Sequence, residues 1–260
     1  MKIFSKTEPI YVGFVGQAGT GKTFTAKSIV PSSVSFFYHD PLRDIVWDHQ
    51  WLSLPLYEIY NIRTQTIGGD VKNRILYAIH EVVSSVLKNN VAYDDMIELV
   101  YDLYTLEITN REGEKPRTFL QKAGDLFLKN NLNCFINSSK YKIINAQHKI
   151  NADYDLNEME YPWFIGIISD VRQTHEAKVI HEQRNNLLIK FEASKEALQE
   201  RLLKRDGISL SETEASHRTE NEIDKIPYEW YDLVLDTSLL TKEEQVSIVK
   251  NFILSHIKEV

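Results

Sequence analysis

The sequence predicts an α/β fold: a parallel sheet with helices packed on both faces. Three observations carry this. About five short apolar runs alternate with segments of helical periodicity, the pattern of crossover-connected parallel strands. The most apolar run, WFIGIIS ahead of Asp170, reads as a central strand covered on both sides. The run IYVGFV passes directly into the glycine-rich GQAGTGKT and then into a helical segment.

Taken in order, residues 10–15 form the first strand, and KTFTAKSIV the first helix, stopped by Pro31. SVSFFY is β-branched and aromatic and predicts a second strand at 35–38. HDPLRDIVWDH is expected to turn into a helix, with Asp40 as N-cap ahead of Pro41. WLSLPLYEIYNIRTQTIGGD reads as irregular, with a turn at Gly68 and Gly69. Across 71–106 the pattern is helical: Ile75, Ile79, Val82, Val83 and Val86 make one stripe, and Met96, Leu99, Leu103 and Leu106 a second. TNREGEKP is a solvated loop, RTFLQKAGDLFLKNN a helix, 134–148 another helix, and NADYDLNEMEYP an exposed acidic stretch. After the central strand, THEAKVIHEQ is helical and NLLIKF is a strand. SKEALQERLLK is a helix capped by Ser194 with Glu196 in its first turn. A polar segment covers 205–224, YDLVLD is the last strand, and the chain closes in a helix. Thr241 and Glu244 make that helix's capping box, and Val246, Val249, Ile253 and Ile257 its buried stripe.

The 260 residues are 43% hydrophobic and 26% charged, enough for a sizeable core. A formal charge of −7 supplies no overall attraction for nucleic acid or anionic lipid, so no stable nucleic-acid binding is expected. Cys134 is the single cysteine, which excludes an internal disulfide and a cysteine-based zinc cluster and fits a cytoplasmic setting. No run is long enough to span a bilayer, so no membrane association is expected. Nothing marks an oligomer interface; a homodimer stays open.

The spacing Gly16-x-x-x-x-Gly21-Lys22-Thr23 is that of a phosphate loop. Glycines, with Gly19 between the two terminal ones, let backbone N–H groups turn inward into an anion-binding concavity, and the following helix aims its positive end at the same point. Lys22 can reach β- and γ-phosphates, and the Thr23 hydroxyl can hold Mg²⁺. The expected ligand is therefore a nucleoside triphosphate. SDVRQTHEA ends the central strand, where a parallel sheet faces its ligand crevice; Asp170 there can serve Mg²⁺ and Arg172 can point into the same space. Arg43, in HDPLRD beyond the second strand, can grip an acceptor phosphate, with Asp40 either bonding substrate or capping its helix. Arg117 and Gln121 share a helix face. Gly124 inside that helix reads as a close approach of ligand or backbone, or as helix packing. Arg201, Arg205 and Arg218 flank or lie in the polar segment 205–224, which can act as a flap bringing cations to the phosphates. Cationic groups from several elements suit an acceptor carrying its own phosphate.

These motifs together resemble the phage-type deoxynucleoside monophosphate kinases. The resemblance rests on VGQAGTGKTFTAKSI, HDPLRDIV, RTFLQKAGDLFLKN and GIISDVRQTHEAKVI in that order, followed by SHRTENEID and YDLVLDTSLL. It implies a single P-loop kinase domain over 1–260 with strand order 2-3-1-4-5. It also implies a helical substrate-binding insertion at about 48–160 and a lid at about 204–224. The implied reaction is ATP- and Mg²⁺-dependent phosphorylation of a deoxynucleoside 5′-monophosphate, in the host cytoplasm if the source is viral. The resemblance puts Gly16, Gly19, Gly21, Lys22, Thr23 and Arg201 at ATP. Around the monophosphate it puts Asp40, Arg43, Arg117, Gln121, Gly124 and Arg172. Thr23 and Asp170 fall at the metal, and Lys22, Asp170, Arg205 and Arg218 in catalysis. Three positions depart from the family pattern: Thr23 stands where aspartate is frequent, Asp125 follows Gly124 directly, and Phe135 stands in for a tryptophan after that helix. A P-loop kinase for another small acceptor, or a nucleotide-binding or packaging protein without kinase activity, is the alternative.

Overall fold

A computed structural model describes the chain apart from residues 1, 3, 31–36, 41–43, 66–70, 88–90, 110–115, 157–159, 207–221 and 258–260. The chain divides into two compact units, one comprising Met1–Trp51 with Tyr141–Val260, the other Leu52–Lys140.

The first unit is built on a sheet of six strands: β1 (Ile10–Val15), β2 (Phe37–Asp40), β3 (Ile45–Trp51), β4 (Trp163–Val171), β5 (Asn186–Glu192) and β6 (Leu233–Asp236). Their spatial order is β2-β3-β4-β1-β5-β6. The five strands from β3 to β6 are parallel and, numbered with β1, run in the order 2-3-1-4-5, as expected. β2 pairs antiparallel with β3 and forms an additional edge.

Strand parity assigns the faces. Ile10, Val12 and Phe14 of β1, Ile45 and Trp47 of β3, and Ile165 and Ile167 of β4 share one apolar cluster. Ala26 and Ile29 of α1 (Lys22–Ile29) and Val249 and Ile253 of the last helix, α9 (Lys242–Leu254), belong to the same cluster. The alternate residues face the other way. Gly13 lies so close to Ile180 of α7 (Thr174–His181) that a Cβ would sit 2.8 Å from its Cδ1. Gly166 lies under Ile143 of α6 (Cys134–Leu156), with an added Cβ only 2.5 Å from Cδ1. Helices therefore cover both faces. α8 (Lys195–Asp206) follows β5, with the Ser194 hydroxyl accepting from Ala197 N at 3.2 Å as an N-cap. The capping box of α9 is present in both directions.

Two expectations are corrected. The helix expected from HDPLRDIVWDH is the strand β3, and Asp40 ends β2 opposite Ile45, so it caps no helix. Asp48 and His49 of this strand are both buried, at 2% and 5% exposure, unusual for such polar residues. The segment taken as irregular contains α2 (Leu54–Gln65), whose Pro55 sits in the first turn, where a missing N–H costs nothing. The helical pattern over 71–106 is present as expected, its two stripes falling on two helices, α3 (Val71–Leu87) and α4 (Tyr93–Thr109). With α5 (Pro116–Asn130) and α2 they belong to the second unit. Tyr60 of α2 and Phe119 of α5 pack with ring centroids 5.5 Å apart within it. No helix among the described residues is long and apolar enough to cross a membrane.

Candidate functional site

The loop 16–21 leaves β1 at the C-terminal edge of the sheet and becomes the N-terminus of α1. Gly16, Gly19 and Gly21 all have positive φ (148°, 89° and 92°). Gly21 is the N-cap, and no side chain caps the helix, so the first-turn N–H groups of α1 are left for a ligand or solvent. A Cβ on Gly16 would lie 2.4 Å from the Phe191 carbonyl oxygen, so only glycine allows β5 to press against the loop there. Gly19 lies over Leu198 and Leu202 of α8.

Lys22 is 4% exposed and its Nζ donates to the carbonyls of Gly16 (2.6 Å) and Gln17 (2.8 Å) and approaches Thr20 Oγ1 at 3.4 Å. These carbonyls and the hydroxyl are neutral acceptors, which a polyanion can outcompete. Thr23 is half-buried in the first turn of α1.

β4 is the hydrogen-bonded neighbour of β1, with Val15 opposite Val171, so the loop and Asp170 leave the same edge of the sheet. Asp170 has φ 73°, a left-handed conformation that costs a non-glycine residue about 1–2 kcal/mol and marks functional sites more often than others. Its Oδ1 accepts from Arg172 Nε at 3.0 Å and from a terminal guanidinium nitrogen at 2.8 Å. Glu176, buried in the first turn of α7, completes the strand end: its Oε2 accepts from Arg172 N (2.9 Å) and Gln173 N (3.1 Å). Burial pushes the Glu176 carboxyl up to about 7, and nearby Asp170 adds to this. The two N–H donors and the Arg172 charge oppose it.

Sequence reasoning missed a polar pair on β3. His49 Nε2 lies 2.8 Å from Ser169 Oγ, on the residue next to Asp170, and burial with the Lys27 charge lowers its pKa to about 4. Asp48, facing the opposite side of the sheet, accepts from Gln50 Nε2 at 2.9 Å; burial raises it to about 6. The available signal was position: an Asp-His pair directly after an apolar run, near the C-terminal end of a parallel strand.

Arg201 of α8 lies behind the loop, donating to Thr237 Oγ1 at 2.9 Å and to the Thr237 carbonyl, with the Gly19 carbonyl at 3.4 Å. Beside the loop opens a cleft of about 360 Å³, bounded by Gln17, Thr20, Phe191, Ala193, Ile223 and Asp224 among others. Gln121 and Gly124 lie half-buried on α5 in the second unit. The nearest atom to a Cβ on Gly124 would be Leu56 Cδ1 at 3.5 Å, an ordinary contact. Among the described residues of its unit no close approach therefore demands glycine at 124. Arg117 and Arg205 belong to α5 and α8, but their side chains lie outside the described residues, as do Arg43 and Arg218 altogether. Most of the expected lid also lies outside them. No cluster of three or more His, Cys, Asp or Glu suited to a metal occurs among the described residues.

No protein-family model matches the chain, and no curated protein sequence does. Among solved structures, a Thermus thermophilus protein superposes with TM-score 0.42 at 14% identity, over 96% of this chain and 99% of its own. An unliganded sugar kinase from a Janibacter species gives 0.40 at 11%, over 95% of each chain. An uncharacterized Eubacterium ventriosum protein gives 0.38 at 9%, over 95% of this chain and 99% of its own. Likeness this loose carries no function.

Proposed function

We propose that the protein is an ATP-dependent phosphotransferase that converts deoxynucleoside 5′-monophosphates to diphosphates. The observation that carries the reading is the glycine loop between β1 and α1, with Lys22 inside it and the Asp170–Arg172 pair on the adjacent strand end. The uncapped N-terminus of α1 and the lysine turned onto backbone carbonyls fit a triphosphate. The adjoining cleft, bounded by Gln17, Thr20, Ser194 and Asp224 among others, gives a nucleotide room beside the loop. Thr23 and Asp170 are a hard-oxygen pair of the kind Mg²⁺ takes when phosphates supply its remaining ligands. Bound there, Mg²⁺ would neutralise charge on the phosphates and align them.

In this reading Lys22 exchanges the Gly16 and Gln17 carbonyls for phosphate oxygens. Arg172 orients the acceptor phosphate together with Arg43 and Arg117, with Asp40, Gln121 and Gly124 completing the acceptor side. Arg205 and Arg218 cover the transferring group. Arg201 supports the loop from behind at the donor side. Transfer needs alignment and charge neutralisation more than covalent chemistry, and these side chains supply both. A protein of this kind works in the cytoplasm without a stable nucleic-acid partner.

Calorimetry with MgATP tests the first half. We expect binding by the unsubstituted chain and its loss by at least tenfold in Lys22→Ala, with an unchanged circular dichroism spectrum. Equal affinity in the two proteins would remove the loop from the account. ATP turnover stimulated by DNA and by no monophosphate would favour the packaging alternative.

A further inference from the structure

We infer that Gln245, on the C-terminal helix, is a positioning residue for the phosphate loop: its side-chain amide sets the orientation of the Thr20–Gly21 peptide. The inference rests on the nucleotide-binding part of the proposed function.

Gln245 is 4% exposed, a polar side chain sealed between α9 and the loop. Its Nε2 donates to Thr25 Oγ1 at 2.6 Å and lies 3.5 Å from the Thr20 carbonyl. Thr25 Oγ1 in turn donates to the Gly21 carbonyl at 3.1 Å, so a chain of hydrogen bonds runs from α9 through α1 to the end of the loop. The amide also packs on the bare Cα of Gly21: a Cβ there would stand 2.6 Å from Nε2 and 3.0 Å from Oε1. The glycine in this position thus serves its positive φ and the seat of Gln245 together.

A second strut reaches the same peptide from β6. Thr237, fully buried just beyond β6, sets Oγ1 between two carbonyls, Glu192 O at 3.0 Å and Thr20 O at 3.3 Å, and Arg201 holds Thr237 while approaching the Gly19 carbonyl. Both struts come from the C-terminal side of the chain, more than two hundred residues from the loop. In a trans peptide the N–H points opposite to the C=O. Drawing the Thr20 carbonyl back toward Thr237 and Gln245 therefore aims the Gly21 N–H away from them, toward the side where an anion binds. Without the struts the loop's glycines, free to adopt either sign of φ, lose orientation before they lose the fold.

The test uses the full chain and two variants that cut one hydrogen bond from its two ends: Gln245→Met, close in volume without the amide, and Thr25→Val. MgATP affinity is measured by calorimetry and the melting temperature without nucleotide. KM for ATP, KM for the acceptor and kcat are read separately. We expect each variant to bind MgATP about three- to tenfold more weakly, the size of one lost buried hydrogen bond. KM for ATP should rise in step while KM for the acceptor stays put, and the double variant should bind no more weakly than the worse single one. A fall in melting temperature with MgATP affinity unchanged would overturn the inference, leaving Gln245 as packing only. Should Gln245→Met not fold, Thr25→Val decides by the same readouts. If the unsubstituted chain binds no MgATP, the proposed function fails and this inference with it; binding by the parent and equal binding by the variants overturns this inference alone.

Discussion

At the scale of single residues, three buried ionisable groups carry pH dependence of opposite sign. Glu176 and Asp48 have folded pKa values raised to about 7 and about 6, so burial favours their neutral forms. The stability they contribute is complete below their unfolded values near 4.5 and 3.8, and declines as pH rises through 7 and 6. His49 behaves oppositely. Lowered from 6.5 to about 4, it contributes stability above 6.5 that is lost as pH falls toward 4. The windows overlap, so the slopes partly cancel in the parent protein. We expect Glu176→Gln to leave stability falling more steeply on acidification from pH 7 to 4.5. His49→Gln should leave it flatter or rising over the same span. Urea midpoints against pH read both, and parallel profiles for all three proteins would show that neither site titrates as described. The phosphate loop was legible because its residue types are dictated by backbone geometry that few others can adopt. Asp48 and His49 were not, because burial of a polar pair leaves no mark in the residues' own chemistry.

At the scale of elements, strongly periodic or capped segments were legible and boundaries set by partners were not. The α9 capping box and the central strand stood out in sequence; the hairpin joining β2 to β3 did not, because Pro41 after Asp40 also suits a helix start. α2 was hidden by Leu-Ser-Leu-Pro, where proline is harmless only because it falls in the first turn. α5 offers a direct test of how a sequence signal should be read. Among the described residues a methyl group on Gly124 meets only Leu56, at 3.5 Å, so Gly124→Ala should raise stability by up to about 1 kcal/mol through helix propensity. If Gly124 also borders the acceptor, the same substitution raises the acceptor's KM without touching that of ATP. Destabilisation instead of a gain, seen in the urea midpoint, would mean that glycine is needed for packing after all.

At the scale of the whole molecule, the parallel strand order was legible from alternation together with the family resemblance, whereas the sixth, antiparallel edge depended on a pairing no local pattern announces. The donor-side residues converge on one edge of one sheet because parallel strands all end there, and the loop is braced from α8, β6 and α9. The expected acceptor residues are spread over β2, the end of β4 and α5, with Arg43 in the segment 41–43 outside the described residues. The central claim is transfer of a phosphoryl group between two nucleotides, and product identification tests it most directly. The full chain is incubated with MgATP and each deoxynucleoside monophosphate in turn, and the products are resolved by phosphorus NMR. The account predicts a deoxynucleoside diphosphate formed in step with ADP from at least one of them, and none with Lys22→Ala. ADP without any new diphosphate, or diphosphate formed equally well by Lys22→Ala, would contradict it.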